Sequence, residues 1–165
     1  MQNKKNSKDD RVKNITISSA TQEFLDQPHQ LLINGAWVDA EAGETIETCD
    51  PATNRVLAHV AIGDQRDSDN AVFAARKAFE GPWSKLTNFE RARLLSRLAR
   101  LIEFHTDLLT EIEVLDNGMS TNIARLTIHN IAEMFDYYGA AAQRIEGTTT
   151  TPPRHITEYT EALTY

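Results

Sequence analysis

Cysteine is almost absent from this 165-residue chain, in which Cys49 is the only one. A single thiol excludes an internal disulfide and any metal site built on clustered cysteines. It suits a reducing compartment, and a cytoplasmic location is the expectation. Aromatic residues make up only 7% of the chain, and there are five prolines and seven glycines. No apolar run approaches the roughly 18 residues that cross a bilayer, so no transmembrane helix is expected. The N-terminus has no apolar core of the signal-peptide kind, so no secretory signal is expected.

The glycines fall at 35, 43, 63, 81, 118, 139 and 147. No two are spaced to form a G-x-G-x-x-G turn or a P-loop, so the sequence offers no recognisable phosphate cradle. Histidines stand at 29, 59, 105, 129 and 155. No pair has the H-x-x-x-H spacing that puts two imidazoles on one helical face as metal ligands.

What is present is a 41% apolar chain, enough to exclude a wholly disordered protein. The net charge is −7. Lys4, Lys5, Lys8, Arg11 and Lys13 against Asp9 and Asp10 give the first 13 residues +3 and leave −10 on the remainder. An acidic body argues against nucleic-acid binding, which needs clustered cations facing phosphates. The short basic tail reads as solvated.

Punctuation and period divide the chain. Residues 1–27 are polar without sustained periodicity and read as a flexible leader, with Phe24 and Leu25 as local docking points. Asn34-Gly35, between Leu31-Leu32-Ile33 and Ala36-Trp37-Val38, predicts a hairpin with a type I′ turn. Further strands are expected over Thr45–Cys49, ending at Asp50-Pro51, and over Val56–Ile62. A helix follows over about 67–80, with Asp67 or Ser68 as its cap and Gly81-Pro82 as its stop. Thr87 and Glu90 predict a capping box that opens a second helix over 88–116. Leu94, Leu98, Leu101, Leu108, Ile112 and Leu115 form its apolar stripe, and Asn117-Gly118 stops it. A third helix is expected over 120–143. Residues 157–165 are β-prone, with no partner strand in the sequence, and such an open edge invites pairing with another chain.

No active site assembles from these residues. Cys49 is the one thiol, but nothing in the sequence places His59 or His105 beside it as the base a nucleophile needs, and it reads as half-buried and structural. Glu111 and Glu113 are two apart on a helix, so their side chains diverge and cannot share a proton. Arg93, Arg97 and Arg100 share one helical face. They read as a solvated face or a contact for another segment, with an anion groove as the alternative.

Six strings, in order, carry a family resemblance. Leu32-Ile33-Asn34-Gly35-Ala36-Trp37-Val38 resembles the opening hairpin of the NAD(P)-dependent aldehyde dehydrogenase superfamily. Asp50-Pro51-Ala52-Thr53-Asn54-Arg55-Val56 is similar to the family's "NPATGEV" turn. Ala71 to Phe79 with Gly81-Pro82-Trp83-Ser84, and Glu90 to Glu103, resemble its first two helices. Leu115-Asp116-Asn117-Gly118 matches its "LDNG", and Tyr137-Tyr138 with Ile145-Glu146-Gly147 resembles the stretch that follows. Met119 departs from the usual lysine.

The resemblance implies an α/β fold. The chain as given is mainly helical, with an N-terminal β-hairpin, short strands and an unpartnered C-terminal strand. Residues 28–146 correspond to the N-terminal segment of the cofactor-binding domain, with strands within 31–62, and 147–165 to the start of oligomerisation β-strands. The resemblance further implies an intact enzyme that oxidises aldehydes to carboxylic acids with NAD or NADP, through a cysteine thiolate and a glutamate that activates water. Those catalytic residues and the cofactor-binding turn have no counterpart here, and Cys49 does not match the catalytic cysteine. The expectation is therefore an N-terminal fragment, inactive by itself, that binds neither cofactor and is poorly soluble because its apolar stripes lack their cover. The resemblance also maps a structural monovalent cation site to the backbone carbonyls of Thr48 and Cys49 and the side chain of Asp116. A homo-oligomer is expected at full length, with pairing through 147–165, and with no nucleic-acid or membrane partner. The alternative is a stand-alone interaction module that associates with a full-length paralogue.

Overall fold

The computed structural model describes residues 16–145. The elements run α1 (Ser19–Leu25), β1 (Leu31–Ile33), β2 (Ala36–Val38), β3 (Thr45–Cys49), β4 (Val56–Ala61), α2 (Gln65–Glu80), a 3-10 turn (Trp83–Lys85), α3 (Asn88–Phe104), α4 (Thr106–Asn117) and α5 (Thr121–Ala142). Helix therefore dominates, as expected. The β-prone segment 157–165 and the division at 147 lie outside the described residues.

The strands form two antiparallel ribbons, β1 with β2 and β3 with β4. In the first, Ile33 pairs with Ala36 across Asn34 (φ 54°) and Gly35 (φ 76°). Two successive positive φ values are the type I′ geometry that the Asn-Gly pair predicts. In the second, Thr45 pairs with Ala61 and Cys49 with Val56, and the register slips between Thr48 and Cys49 so that Leu57 is the extra residue on β4. The connecting turn is organised by Asp50, which is 4% exposed. Its carboxylate accepts from the Ala52 amide at 2.9 Å and the Thr53 hydroxyl at 2.5 Å.

Helix α2 starts two residues before the expected position, and its cap is Asp64, not Asp67 or Ser68. Asp64 accepts from the amides of Arg66 and Asp67, and Asp67 reaches back to the Asp64 amide, which completes a capping box. The Thr87–Glu90 capping box of α3 is present as the sequence predicts.

Two expectations are corrected. The span 88–116 is two helices, not one, because the chain breaks at His105 (φ −99°, ψ 18°). The Thr106 hydroxyl donates to the Glu103 carbonyl at 2.7 Å and occupies an acceptor that a continuing helix uses. The leader is also not structureless throughout. Residues 19–25 are helical, capped by Ser18, and Thr21 is fully buried.

The core sits mainly between α3 and α5. It is filled by small side chains: Ala92, Ala99, Ala124 and Ala132 are all less than 5% exposed, and Gly139 is buried among them. Such residues let two helix backbones approach closely. Ser96 donates to Asp136 at 2.6 Å across the same seam. Ile128 and Leu115 are the large apolar side chains buried with them, and many others lie on the outside. Val72, Phe73 and Phe104 are 69%, 71% and 81% exposed, and Leu94, Leu98, Leu101, Ile123, Leu126 and Met134 are exposed as well. Of the expected stripe, Leu94, Leu98 and Leu101 are uncovered, whereas Leu108 and Ile112 are half-buried and Leu115 is buried.

Candidate functional site

Three places were marked by the sequence: Thr48–Cys49–Asp116, the arginine face of α3, and Cys49 as a thiol. The structure brings Thr48 and Asp116 of the first set together. Helix α4 packs against β3, and the Thr48 hydroxyl donates to Asp116 Oδ1 at 2.7 Å. The corner is held by Gly118 (φ 75°), which ends α4 in the left-handed region and would place a Cβ 3.0 Å from Pro51 Cγ. The β3–β4 turn and the α4–α5 corner thus lean on each other, with Asp116 and Thr48 between them. A cavity of about 160 Å³ adjoins this pair and is lined by Phe24, Leu25, Leu57 and Ile112.

The donor set that the resemblance implies at this corner is a carboxylate and backbone carbonyls. These are hard oxygen ligands, which fit an alkali cation rather than a thiophilic metal. Among the described residues, no three His, Cys, Asp or Glu side chains are grouped for a metal ion.

Cys49 is half-buried at the end of β3 and unbridged. His59 pairs across the ladder with Glu47, and His105 stands at the break between α3 and α4. Among the described residues no hydrogen bond joins Cys49 to a histidine, so no activated thiol is assembled around it.

Arg93, Arg97 and Arg100 line one open groove of about 720 Å³ between α3 and α5, together with Ser96, Asp136 and Gln143. All three arginines are exposed. Asp136 and Glu90 lie among them, so the groove has mixed charge.

Glu111 and Glu113 diverge, as two residues two apart on a helix must. The Glu113 carboxylate accepts from the Asn117 side chain. Glu111 Oε2 accepts from the Thr21 hydroxyl at 2.5 Å, the Ser18 hydroxyl at 2.8 Å and the Ser18 amide at 3.0 Å. The Thr21 hydroxyl first, and then Ser18, hold its carboxyl below the ordinary glutamate range, and burial partly opposes them. Sequence reasoning missed this cluster because its members lie 90 and 93 positions apart. The Ser-x-x-Thr pattern at 18–21 was the one local sign of it.

Comparison with known proteins fits this geometry. The family model described as "Aldehyde dehydrogenase family" matches residues 37–164. The chain is 43% identical over 141 residues to aldehyde dehydrogenase family 2 member B4, mitochondrial, of Arabidopsis thaliana, covering 81% of this chain and 26% of that protein. It is 38% identical over 145 residues to an aldehyde dehydrogenase of Aspergillus niger, covering 88% and 29%. The NAD+ complex of the aldehyde dehydrogenase from Bacillus cereus superposes with a TM-score of 0.81 at 40% identity, covering 86% of this chain and 29% of that one. The chain therefore spans about a quarter of the length of the curated relatives it matches. It belongs to the aldehyde dehydrogenase family, of which it presents an N-terminal part.

Proposed function

We propose that this chain supplies the N-terminal helices and ribbons of an NAD(P)-dependent enzyme that oxidises aldehydes to carboxylic acids, and that the 165 residues alone carry no dehydrogenase activity. The observation that supports this is the match itself: most of this chain aligns with only about a quarter of each relative. Among the described residues, Cys49 has no base hydrogen-bonded to it, and the sequence has no phosphate-cradling glycine turn. The NAD+ bound by the Bacillus cereus relative makes NAD the first cofactor to test for the intact enzyme.

In this reading, the chain's residues position and do not react. The alanine seam of α3 and α5 forms a rigid pair, whose outer faces await a covering layer. Thr48, Cys49 and Asp116 offer oxygen ligands to a monovalent cation when one binds, and that cation would tie the β3–β4 ribbon to the end of α4. The lone cysteine suits a reducing compartment, and we assign the cytoplasm by default. The mitochondrial relative makes the mitochondrion the other compartment to examine.

The test is to incubate the purified chain with acetaldehyde or benzaldehyde and NAD+ or NADP+, and to follow absorbance at 340 nm. No turnover is expected. Aldehyde-dependent reduction above the no-enzyme rate would overturn the reading.

A second reading keeps the chain as an interaction module for a full-length relative, with subunit pairing through 147–165. The exposed Val72, Phe73, Phe104 and Met134 favour it. Co-purification with a full-length aldehyde dehydrogenase from the same cells is the expected result. A chain that runs as a free monomer in that mixture would exclude it.

A further inference from the structure

Helix α1 is only seven residues long, too short to be stable by its own hydrogen bonds in water. Its order must come from what it docks on. The apolar part of that docking is incomplete. Two cavities lie under the helix, one of about 160 Å³ between Phe24 and Leu25 on one side and Leu57 and Ile112 on the other. The second, of about 230 Å³, lies where Gln22 and Leu25 face Val56 and Leu115. Unfilled space at an interface forfeits the dispersion contacts that close packing provides.

The polar part of the docking is, in contrast, fully engaged at one atom. Glu111 Oε2 receives three donors from the first turn of α1, and one of them is the hydroxyl of the fully buried Thr21. Hydrogen bonds to a charged acceptor are stronger than neutral ones. The attachment is thus concentrated at the N-terminal end of the helix, while Phe24 and Leu25 at its C-terminal end form one wall of the cavity beside Asp116 and Thr48.

We propose that α1 is a detachable strap, fastened by the Glu111 carboxylate, whose docking supplies one wall of the half-open cavity beside Asp116 and whose release removes that wall. The inference goes beyond the enzymatic reading and does not depend on it, since it concerns only contacts within this chain.

Hydrogen exchange on the full 165-residue chain, read by mass spectrometry at pH 7, tests it. In Glu111→Gln and in Thr21→Val, amides of residues 19–25 should exchange at least tenfold faster than in the parent. Peptides covering 56–60 and 110–116 should follow, and those of α5 should stay protected. If Glu111→Gln loosens the whole chain, the isosteric Thr21→Val decides alone. Unchanged exchange in 19–25 would overturn the fastening by Glu111. Loss of protection in 19–25 with 56–60 and 110–116 unaffected would overturn the shared wall.

Discussion

Gly139 lies against the backbone of the facing helix: a Cβ built on it would sit 3.2 Å from the Ala92 carbonyl oxygen and 3.4 Å from Leu95 Cβ. The neighbour is backbone, which cannot swing aside as a side-chain tip can. Gly139→Leu should therefore force α3 and α5 apart and cost about 2–3 kcal/mol. The urea midpoint should fall without a comparable change in slope. A midpoint equal to the parent's would mean that the seam is looser than the structure shows.

The Glu111 cluster predicts a pH dependence with a definite sign. Its folded pKa is lowered from 4.5, so the ionised form is the one stabilised by folding. That contribution is present at neutral pH and is lost as pH falls through the acidic range below 4.5. Thermal midpoints of the parent and Glu111→Gln should differ at pH 7 and converge between about pH 5 and 3. Curves that stay parallel throughout that range would contradict the assignment.

Asp67 is 4% exposed and accepts from two backbone amides, Asp64 at 2.9 Å and Glu41 at 3.2 Å. Asp67→Ala would leave both donors without their acceptor and remove half of a capping box. A loss of about 2 kcal/mol is expected. Asp67→Asn should recover only part of it, since a neutral acceptor is weaker. Denaturant melts of the two variants provide the comparison.

Gly118 has two reasons to be glycine. Its φ of 75° costs an L-residue about 1–2 kcal/mol, and its Cβ would press on Pro51 at 3.0 Å. Gly118→Ala should therefore destabilise by at least about 1 kcal/mol. It should also raise amide exchange in both the β3–β4 turn and the start of α5. A local effect confined to α5 would show that the two corners are not coupled.

The parts of the fold that were legible in the sequence are those whose cause lies within a few residues. Asn34-Gly35 could only be a tight hairpin, Thr87 and Glu90 sit at capping-box spacing, and Gly118 supplies a left-handed stop. The break at His105 was hidden because the leucine stripe runs on through it in phase. The contact at the break, Thr106 hydroxyl to Glu103 carbonyl, leaves no mark on hydrophobic period. Helix α1 was hidden for the opposite reason: it is too short to show a period, and its anchor is supplied by Glu111 far along the chain. At the Thr48–Asp116 corner, the family strings placed the residues, and the bulge and the Gly118–Pro51 contact explain how they meet. Spacing alone carried no sign of that meeting.

The alanine seam has a further consequence. Ordinary domains keep their bulky hydrocarbon inside and spread methyl-sized groups wherever space allows; the α3–α5 pair does the reverse. Its cohesion comes from two backbones brought close, which needs little hydrocarbon, so Leu94, Leu98, Leu101 and Phe104 are left to face outward. Such a pair can be covered, uncovered and covered again without rearranging its own interior, in the manner of a brick that keeps its shape whether or not the mortar is present.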